Sequence, residues 1–210
     1  MALQAEIIAV TPFRQNCTLL WDDETREAVL TDVGGDVPYL LQELDAKNLT
    51  LTAIWLTHGH LDHAGGVVEL REHRPVPVIG PHADDDFLLQ ALPETTAQYG
   101  FPVSPAFEPT RWLTEGETLK VGSHAFQVLH IPGHTPGHVV FYCAEAGLLI
   151  AGDVLFYETI GRTDFPRGNH ADLIHNIRNK LFVLPEDTRV IAGHGRMTDI
   201  GHEKRHNPFF

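Results

Sequence analysis

One sequence feature constrains the possible fold of this chain more than any other. It is an apolar, strand-like segment that is followed directly by a histidine-rich loop. Residues 49–57 are rich in β-forming apolar side chains and predict a buried strand. Residues 58–63, which follow at once, read HGHLDH. A loop at a strand end can direct several side chains at one point, and imidazole with carboxylate is a donor set that suits zinc, iron or manganese. A solvated histidine-rich turn is the alternative for such a motif taken alone.

Three further candidate ligands each follow a predicted strand and lie beside a glycine. His134 lies in the turn sequence PGHTPGH, Asp153 follows the strand at residues 148–151, and His194 follows the strand at residues 190–192. Glycine lets the backbone approach a metal closely. Because strand ends at one edge of a sheet converge in space, these positions favour a metal site over a solvated turn.

The charge and the cysteine content argue against several other classes of protein. Fifteen basic residues against twenty-eight acidic ones give a net charge of −13, without the basic surface that nucleic acid or an anionic membrane requires. Cys17 and Cys143 lack the spacing of a disulfide framework or a thiolate zinc site. No apolar run approaches the roughly 20 residues that span a bilayer, and residues 1–12 do not resemble a secretory signal. We expect a cytoplasmic protein without nucleic-acid or membrane partners, and the sequence leaves the oligomeric state open.

The order of predicted elements indicates an α/β fold. Strands are predicted at residues 5–10, 16–21, 27–32, 49–57, 76–79, 118–121, 124–130, 139–142, 148–151 and 190–192. Apolar stripes predict helices near residues 37–44, 66–73 and 170–181. Residues 93–109, with four prolines, are expected to form an ordered loop, and the chain is expected to end in a polar tail. Two packed sheets with helices on their outer faces would bury these stripes.

The ligand pattern resembles a known family over nearly the whole chain. HxHxDH, followed by a later histidine, aspartate and histidine in this order, is typical of the metallo-β-lactamase superfamily. The stretches GHTPGH (133–138) and GRTDFP (161–166) look like those of the short bacterial glyoxalase II-like hydrolases of the YcbL type. The resemblance implies an αββα sandwich of two packed mixed β-sheets flanked by helices. It also implies one domain over residues 1–210, without the C-terminal helical substrate-binding domain of longer relatives.

The same resemblance implies a site for two divalent metal ions. Zinc is the first expectation, and iron and manganese remain open because imidazole and carboxylate serve all three. The implied ligands are His58, His60 and His134 for one ion, Asp62, His63 and His194 for the other, and Asp153 as the bridge between them.

Two such ions fit the hydrolysis of a thioester. Ions about 3.5–4 Å apart can hold a bridging hydroxide at neutral pH and polarise a carbonyl. A thiolate, whose thiol pKa is near ~8.5, leaves without a strong general acid. We expect a metal-dependent hydrolase of small acyl thioesters of the S-lactoylglutathione type (hydroxyacylglutathione hydrolase). Asp62, Asp153 and the metal-bridging hydroxide are the expected catalytic groups.

Other functions remain as alternatives. Persulfide dioxygenases are mononuclear iron oxidoreductases that share this fold and a stretch like GRTD at 161–164. A non-catalytic metal protein is less consistent with the ligands, because structural zinc sites are usually closed and rich in thiolates. We do not expect β-lactam hydrolysis, because many zinc β-lactamases have a cysteine at the position of Asp153.

Substrate recognition is the part that the resemblance covers least. Glyoxalase II enzymes have a lysine and a tyrosine where this chain has Arg162 and Asp164. Arg162 either binds a glutathione carboxylate or forms a structural salt bridge to Asp164 or Asp153. Asp32 either orients the histidine loop or caps a turn, and His138 is expected to support a ligand or to pack in its turn.

Overall fold

A computed structural model describes residues 2–210 of the protein. Five strands form the first sheet, in the order in which they occur along the chain. They are β1 (Leu3–Val10), β2 (Gln15–Asp22), β3 (Glu27–Thr31), β4 (Thr50–Trp55) and β5 (Val78–Ile79). β1, β2 and β3 pair antiparallel, whereas β4 runs parallel to β3 and β5 parallel to β4.

A second sheet of six strands packs against the first. Its members in chain order are β6 (Thr118–Val121), β7 (His124–His130), β8 (Val139–Cys143), β9 (Leu148–Gly152), β12 (Arg189–Ala192) and β13 (Thr198–Asp199). The spatial order is β13-β12-β9-β8-β7-β6. β12 is parallel to β9. Because β7 and β9 are both antiparallel to β8, β7 has the same direction as β9 and β12. The C-terminal ends of β7, β9 and β12 therefore meet at one edge of this sheet.

Helices and one small hairpin complete the fold. The helices are α1 (Val37–Ala46), α2 (Leu61–Ala64), α3 (Val67–His73), α4 (Asp86–Gln90), α5 (Leu92–Gln98), α6 (His170–Asn176) and α7 (Ile200–His206). A 3₁₀ turn (Ala83–Asp85) precedes α4, and a π-helical turn (Ile177–Leu181) extends α6. The hairpin consists of β10 (Leu155–Phe156) and β11 (Thr159–Ile160). Among residues 2–210, no helix has the length and apolar character needed to cross a membrane.

The apolar core forms three layers around the two sheets. Between the sheets, Trp55 of β4 packs its ring against Phe126 and Phe141, with ring centroids 5.3 and 5.2 Å apart. The neighbouring Ile54 points the other way, into the layer that α1 and α3 cover. On the far side, Leu173 of α6 belongs to the layer that covers the second sheet. This αββα arrangement confirms the predicted fold class.

Three sequence predictions about local structure are wrong. Residues 93–109 contain most of α5, because Pro93 lies in the first helical turn, where its missing N–H costs no hydrogen bond. The chain does not end in a polar tail: α7 is capped by Asp199, whose side chain accepts a hydrogen bond from the N–H of His202. Residues 190–192 are not the last strand, because the short β13 follows and pairs antiparallel with β12.

Candidate metal centre

Three histidines from two loops form one cluster of facing nitrogens, here called the first trio. His58 Nε2 and His134 Nε2 each lie 3.0 Å from His60 Nδ1. His58 follows β4, and His134 follows β7 in the other sheet. The second ring nitrogens of His58 and His134 are used elsewhere: His58 Nδ1 lies 3.0 Å from Thr57 Oγ1, and His134 Nδ1 donates to the carbonyl oxygen of Arg162 at 2.7 Å. Their Nε2 lone pairs therefore face His60, an arrangement that a cation stabilises.

Asp62, His63 and His194 form a second cluster, the second trio. Asp62 Oδ2 lies 3.1 Å from His194 Nε2 and 3.6 Å from His63 Nε2. His63 Nδ1 donates to Asp32 Oδ2 at 3.0 Å, and His194 Nδ1 donates to the carbonyl oxygen of Phe13 at 3.2 Å. As in the first trio, these contacts turn the Nε2 atoms toward the centre.

Asp153 lies between the two trios. Its Oδ1 is 3.4 Å from His63 Nε2, and its Oδ2 is 3.6 Å from both His134 Nε2 and His194 Nε2. His63 Nε2 and Asp153 Oδ1 are buried and make no hydrogen bond within residues 2–210. A buried nitrogen and carboxylate oxygen that face each other at this distance fit a cation between them. The structure thus brings all seven predicted residues together, and their donor types fit two divalent ions.

The two trios differ in their electrostatics. Burial, together with the neighbouring imidazoles, lowers the pKa of His58 and lowers that of His60 to about 3. Burial also acts to lower the pKa of His63 and His194, but the carboxylates of Asp62 and Asp153 outweigh it and raise both. The first trio is therefore a set of neutral imidazoles, whereas the second trio holds protons more strongly.

Asp32 orients the histidine loop, which is one of its two predicted roles. Its Oδ1 accepts the backbone N–H of Thr57 at 2.7 Å, and its Oδ2 accepts the Thr57 hydroxyl at 2.7 Å as well as His63 Nδ1–H. Because that hydroxyl donates to Asp32, its oxygen accepts from His58 Nδ1–H. One carboxylate thus fixes the tautomers of a histidine in each trio.

His138 supports Asp153, as predicted for a partner of a ligand. Its Nε2 accepts the backbone N–H of Asp153 at 3.0 Å, and its ring stacks on His58 with centroids 4.7 Å apart. The side chain is fully buried. His138 thus contacts one candidate ligand by hydrogen bonding and another by packing.

Asp85 is a site residue that the sequence analysis missed. Its Oδ2 accepts the N–H of Gly59 at 3.0 Å and the hydroxyl of Thr135 at 2.8 Å, while its Oδ1 accepts the N–H of Gly137 at 2.6 Å. Gly59 lies between two histidines of the first trio, and Thr135 follows the third. One buried carboxylate therefore ties both ligand loops together. In sequence it is the middle residue of three consecutive aspartates, without a motif that would identify it.

Asn16 was also missed, and it holds the loop that carries His194. Its side-chain amide donates to the carbonyl oxygens of Ala192 and Gly195, both at 2.9 Å, and its backbone N–H donates to Gly193 at 2.7 Å. These bonds join the start of β2 in the first sheet to the end of β12 in the second. They fix the His194 loop against the other half of the fold.

A glycine is required beside Asp153. A Cβ atom at Gly193 would lie 2.0 Å from Asp153 Oδ1 and 2.8 Å from His63 Cε1. Both distances are far below van der Waals contact. The sequence predicts that glycine allows a close approach near the candidate ligands. At Gly193, the groups that approach are the side chains of Asp153 and His63.

Arg162 forms the predicted salt bridge to Asp164. Its Nε and Nη2 donate to the two carboxylate oxygens at 2.9 and 2.8 Å. The guanidinium also lies over the ring of Phe165, 4.4 Å from its centroid, and that ring packs on His60 and His134. The fork that would bind a substrate carboxylate is therefore occupied by a neighbour, and a substrate role for Arg162 stays a prediction.

The comparisons with known proteins agree with this geometry. The family model described as the metallo-β-lactamase superfamily matches residues 10–194. The hydroxyacylglutathione hydrolase GloC of Haemophilus influenzae is 49% identical over 208 residues, which cover 99% of this chain and 98% of that protein.

Two crystal structures have nearly the same fold. The BLEG-1 B3 metallo-β-lactamase has a TM-score of 0.90 at 40% identity and covers 98% of this chain and 99% of its own. TTHA1623 in a di-iron-bound form has a TM-score of 0.89 at 36% identity and covers 98% of this chain and 100% of its own. With an αββα sandwich, a trio of histidines beside a trio of two histidines and an aspartate, and a family match over most of its length, this chain belongs to the metallo-β-lactamase superfamily.

Proposed function

We propose that the protein is a metal-dependent hydrolase of small acyl thioesters linked to glutathione. The observation that carries this proposal is the pair of trios joined by Asp153, in a chain 49% identical to a hydroxyacylglutathione hydrolase along its whole length. We assign His58, His60 and His134 to one ion, Asp62, His63 and His194 to the other, and Asp153 to both.

The side chains prepare the site for hydrolysis. Two divalent ions held by these residues would supply a hydroxide nucleophile at neutral pH and polarise the substrate carbonyl. The carboxylates of Asp62 and Asp153 balance the charge of the ions, and Asp32 keeps His63 in the tautomer that presents Nε2. A thiolate leaving group needs no protonation, so the arrangement suits a thioester better than an amide.

The direct test is the loss of thioester absorbance with S-lactoylglutathione, with and without a chelator. Fast, chelator-sensitive loss supports the proposal, and no loss from protein with two ions per chain contradicts it.

Asp153→Asn should abolish most of the activity and weaken metal binding, because it removes the negative charge that lies between the two trios. Asp22→Asn is the matched control, because Asp22 is also a buried aspartate that accepts backbone hydrogen bonds, from Glu24, Thr25 and Ser123. Equal activity in the two variants would contradict the assignment of Asp153.

A β-lactam is the second substrate class to test. The observation that favours it is the likeness to the BLEG-1 B3 metallo-β-lactamase. Hydrolysis of nitrocefin more efficient than that of S-lactoylglutathione would make the protein primarily a β-lactamase. The oxidoreductase alternative predicts one iron per chain and oxygen uptake with glutathione persulfide.

Three finer assignments accompany this proposal. We assign zinc to both positions, which elemental analysis of protein purified without added metal will test. We place the enzyme in the cytoplasm, where fractionation of cells will test it. We also treat residues 1–210 as one catalytic domain, supported by the coverage of 98% of the GloC relative.

A further inference from the structure

The cationic side chains of this acidic protein are nearly all engaged. Arg162 is bound by Asp164, and Lys180 is bound by Glu115. Within residues 2–210, the cationic side chains that make no hydrogen bond or ion pair are those of Arg14, Lys120 and Arg196. Arg71, Arg167 and Arg189 also lack a carboxylate partner, but each donates to a backbone carbonyl oxygen, so the three residues named above differ in having neither kind of partner.

Two of these three cations lie on chain segments that adjoin His194, a member of the second trio. Arg196 follows His194 by two residues, and the intervening Gly195 is held by the side chain of Asn16 at 2.9 Å. Arg14 follows Phe13, whose carbonyl oxygen accepts His194 Nδ1–H at 3.2 Å. The residue after Arg14 forms an isolated β-bridge with His194. Both arginines thus extend from segments that contact this candidate ligand directly.

Aromatic packing holds the guanidinium of Arg196 in place. It lies over the ring of Tyr157, 3.2 Å from the centroid, and that ring stacks on His202 with centroids 4.9 Å apart. The carboxylate of the adjacent Glu158 pairs with His202 at 3.0 Å, and that of Glu203 accepts from Asn207 and from the N–H of Glu158. The ring of Tyr157 therefore holds the guanidinium in one position. The charge of Glu158 attracts Arg196, but the N–H groups of Arg196 make no hydrogen bond or ion pair within residues 2–210 and can bind a ligand.

We propose that Arg196, together with Arg14 from the neighbouring segment, binds a carboxylate of the thiol-bearing half of the thioester. This inference rests on the proposed function and specifies which residues recognise the substrate. A guanidinium binds a carboxylate through two parallel N–H···O bonds. In this way the chain selects an anionic thioester at the metal centre although its overall charge repels anions.

The first test is the binding of S-methylglutathione, which has the carboxylates of glutathione and no thioester to hydrolyse. Arg196→Gln should weaken its binding to the metal-loaded protein about tenfold, the low end for an exposed charge-assisted hydrogen bond, and Arg14→Gln should weaken it less. Lys120→Gln is the matched control, because Lys120 is also unpaired but lies on β6, at the opposite edge of the second sheet. Absence of binding to the unaltered protein, or equal binding by all variants, would overturn the proposal.

The second test compares two thioesters with the same acyl group. S-lactoylglutathione has two carboxylates, whereas S-lactoyl-N-acetylcysteamine has none. The KM of the neutral compound divided by that of the glutathione compound should fall about tenfold in Arg196→Gln and stay constant in Lys120→Gln. An equal rise of both KM values would overturn the proposal, because it would reflect lost packing on Tyr157.

These readouts separate the two proposals. If the unaltered protein hydrolyses neither thioester but binds S-methylglutathione through Arg196, the proposed function fails and the carboxylate site stands. If it hydrolyses both thioesters with similar KM values, the function stands and the carboxylate site fails.

Discussion

Replacing Asp85 with asparagine tests whether the carboxylate that joins the two ligand loops sets the metal geometry. Its three donors are the N–H of Gly59, the N–H of Gly137 and the hydroxyl of Thr135. Burial raises the pKa of Asp85 to about 6 against these donors, which lower it, so the carboxylate is ionised at pH 7.5. Asparagine has nearly the same shape, but one of its two terminal atoms is an NH₂ group, which cannot accept these bonds.

The size of the effect follows from the lost acceptor. Whichever way the amide turns, its NH₂ group faces a backbone N–H, so at least one charge-assisted hydrogen bond is lost and a buried donor is left unpaired. We expect a loss of about 2–4 kcal/mol in the free energy of unfolding. Because the loops carry all of the first trio, we also expect metal affinity to fall roughly tenfold to a hundredfold, as for other partners of metal ligands.

The assay combines thermal unfolding, metal affinity and the visible spectrum of the cobalt-substituted protein. Asp22→Asn is the control, because its carboxylate binds the turns at the far end of β2, roughly 23 Å along the strand from Gln15. We expect both variants to unfold more easily, but only Asp85→Asn to lose metal affinity and to change the cobalt spectrum. Unaltered affinity and spectrum in Asp85→Asn, with a stability loss like that of the control, would refute the positioning role.

Three further predictions concern the metal centre. Gly193→Ala should lose metal and activity, because its Cβ would lie 2.0 Å from Asp153 Oδ1; full metal content by elemental analysis would contradict this. As the pH falls from 7 toward 5, the ion of the second trio should leave first, because the pKa values of His63 and His194 are raised while that of His60 is about 3. Metal analysis after dialysis at each pH checks this order, and simultaneous loss would refute it. Chelation should lower the melting temperature, since ions present at a thousandfold over their dissociation constant stabilise a fold by about 4 kcal/mol; an unchanged melting temperature would show that the ions add no stability.

The candidate ligands could be predicted from the sequence because strand ends have a simple geometric consequence. His134, Asp153 and His194 follow β7, β9 and β12, which have the same direction in one sheet. Apolar runs in the sequence identify such strands. A glycine or histidine that follows such a run can be recognised from the sequence alone, without knowing how the strands pack. The local pattern therefore indicated an α/β fold and the converging residues, whereas the αββα arrangement was implied by the family resemblance.

The supporting residues could not be predicted, because their bonds join distant parts of the chain. Asp85 contacts residues 26, 50 and 52 positions away, and Asn16 contacts residues 176 and 179 positions away. These bonds go mostly to backbone groups, so they impose no residue type on their partners. The helix at Leu92–Gln98 was missed for a different reason: proline was taken as a sign of a loop, although it is tolerated in a first helical turn.

The comparison of Arg162 with Arg196 shows why metal binding and substrate recognition follow different rules in this fold. In sequence, Arg162 was the natural candidate for a carboxylate-binding residue, but Asp164 lies two residues later and occupies its guanidinium fork. Arg196 makes no hydrogen bond or ion pair with a carboxylate within residues 2–210, and its guanidinium packs on an aromatic ring instead. Strand ends place the candidate ligands, whereas loop side chains carry the charges that we propose to bind the substrate. Substitutions in these loops should therefore change KM, whereas substitutions at the strand ends should change metal content and kcat.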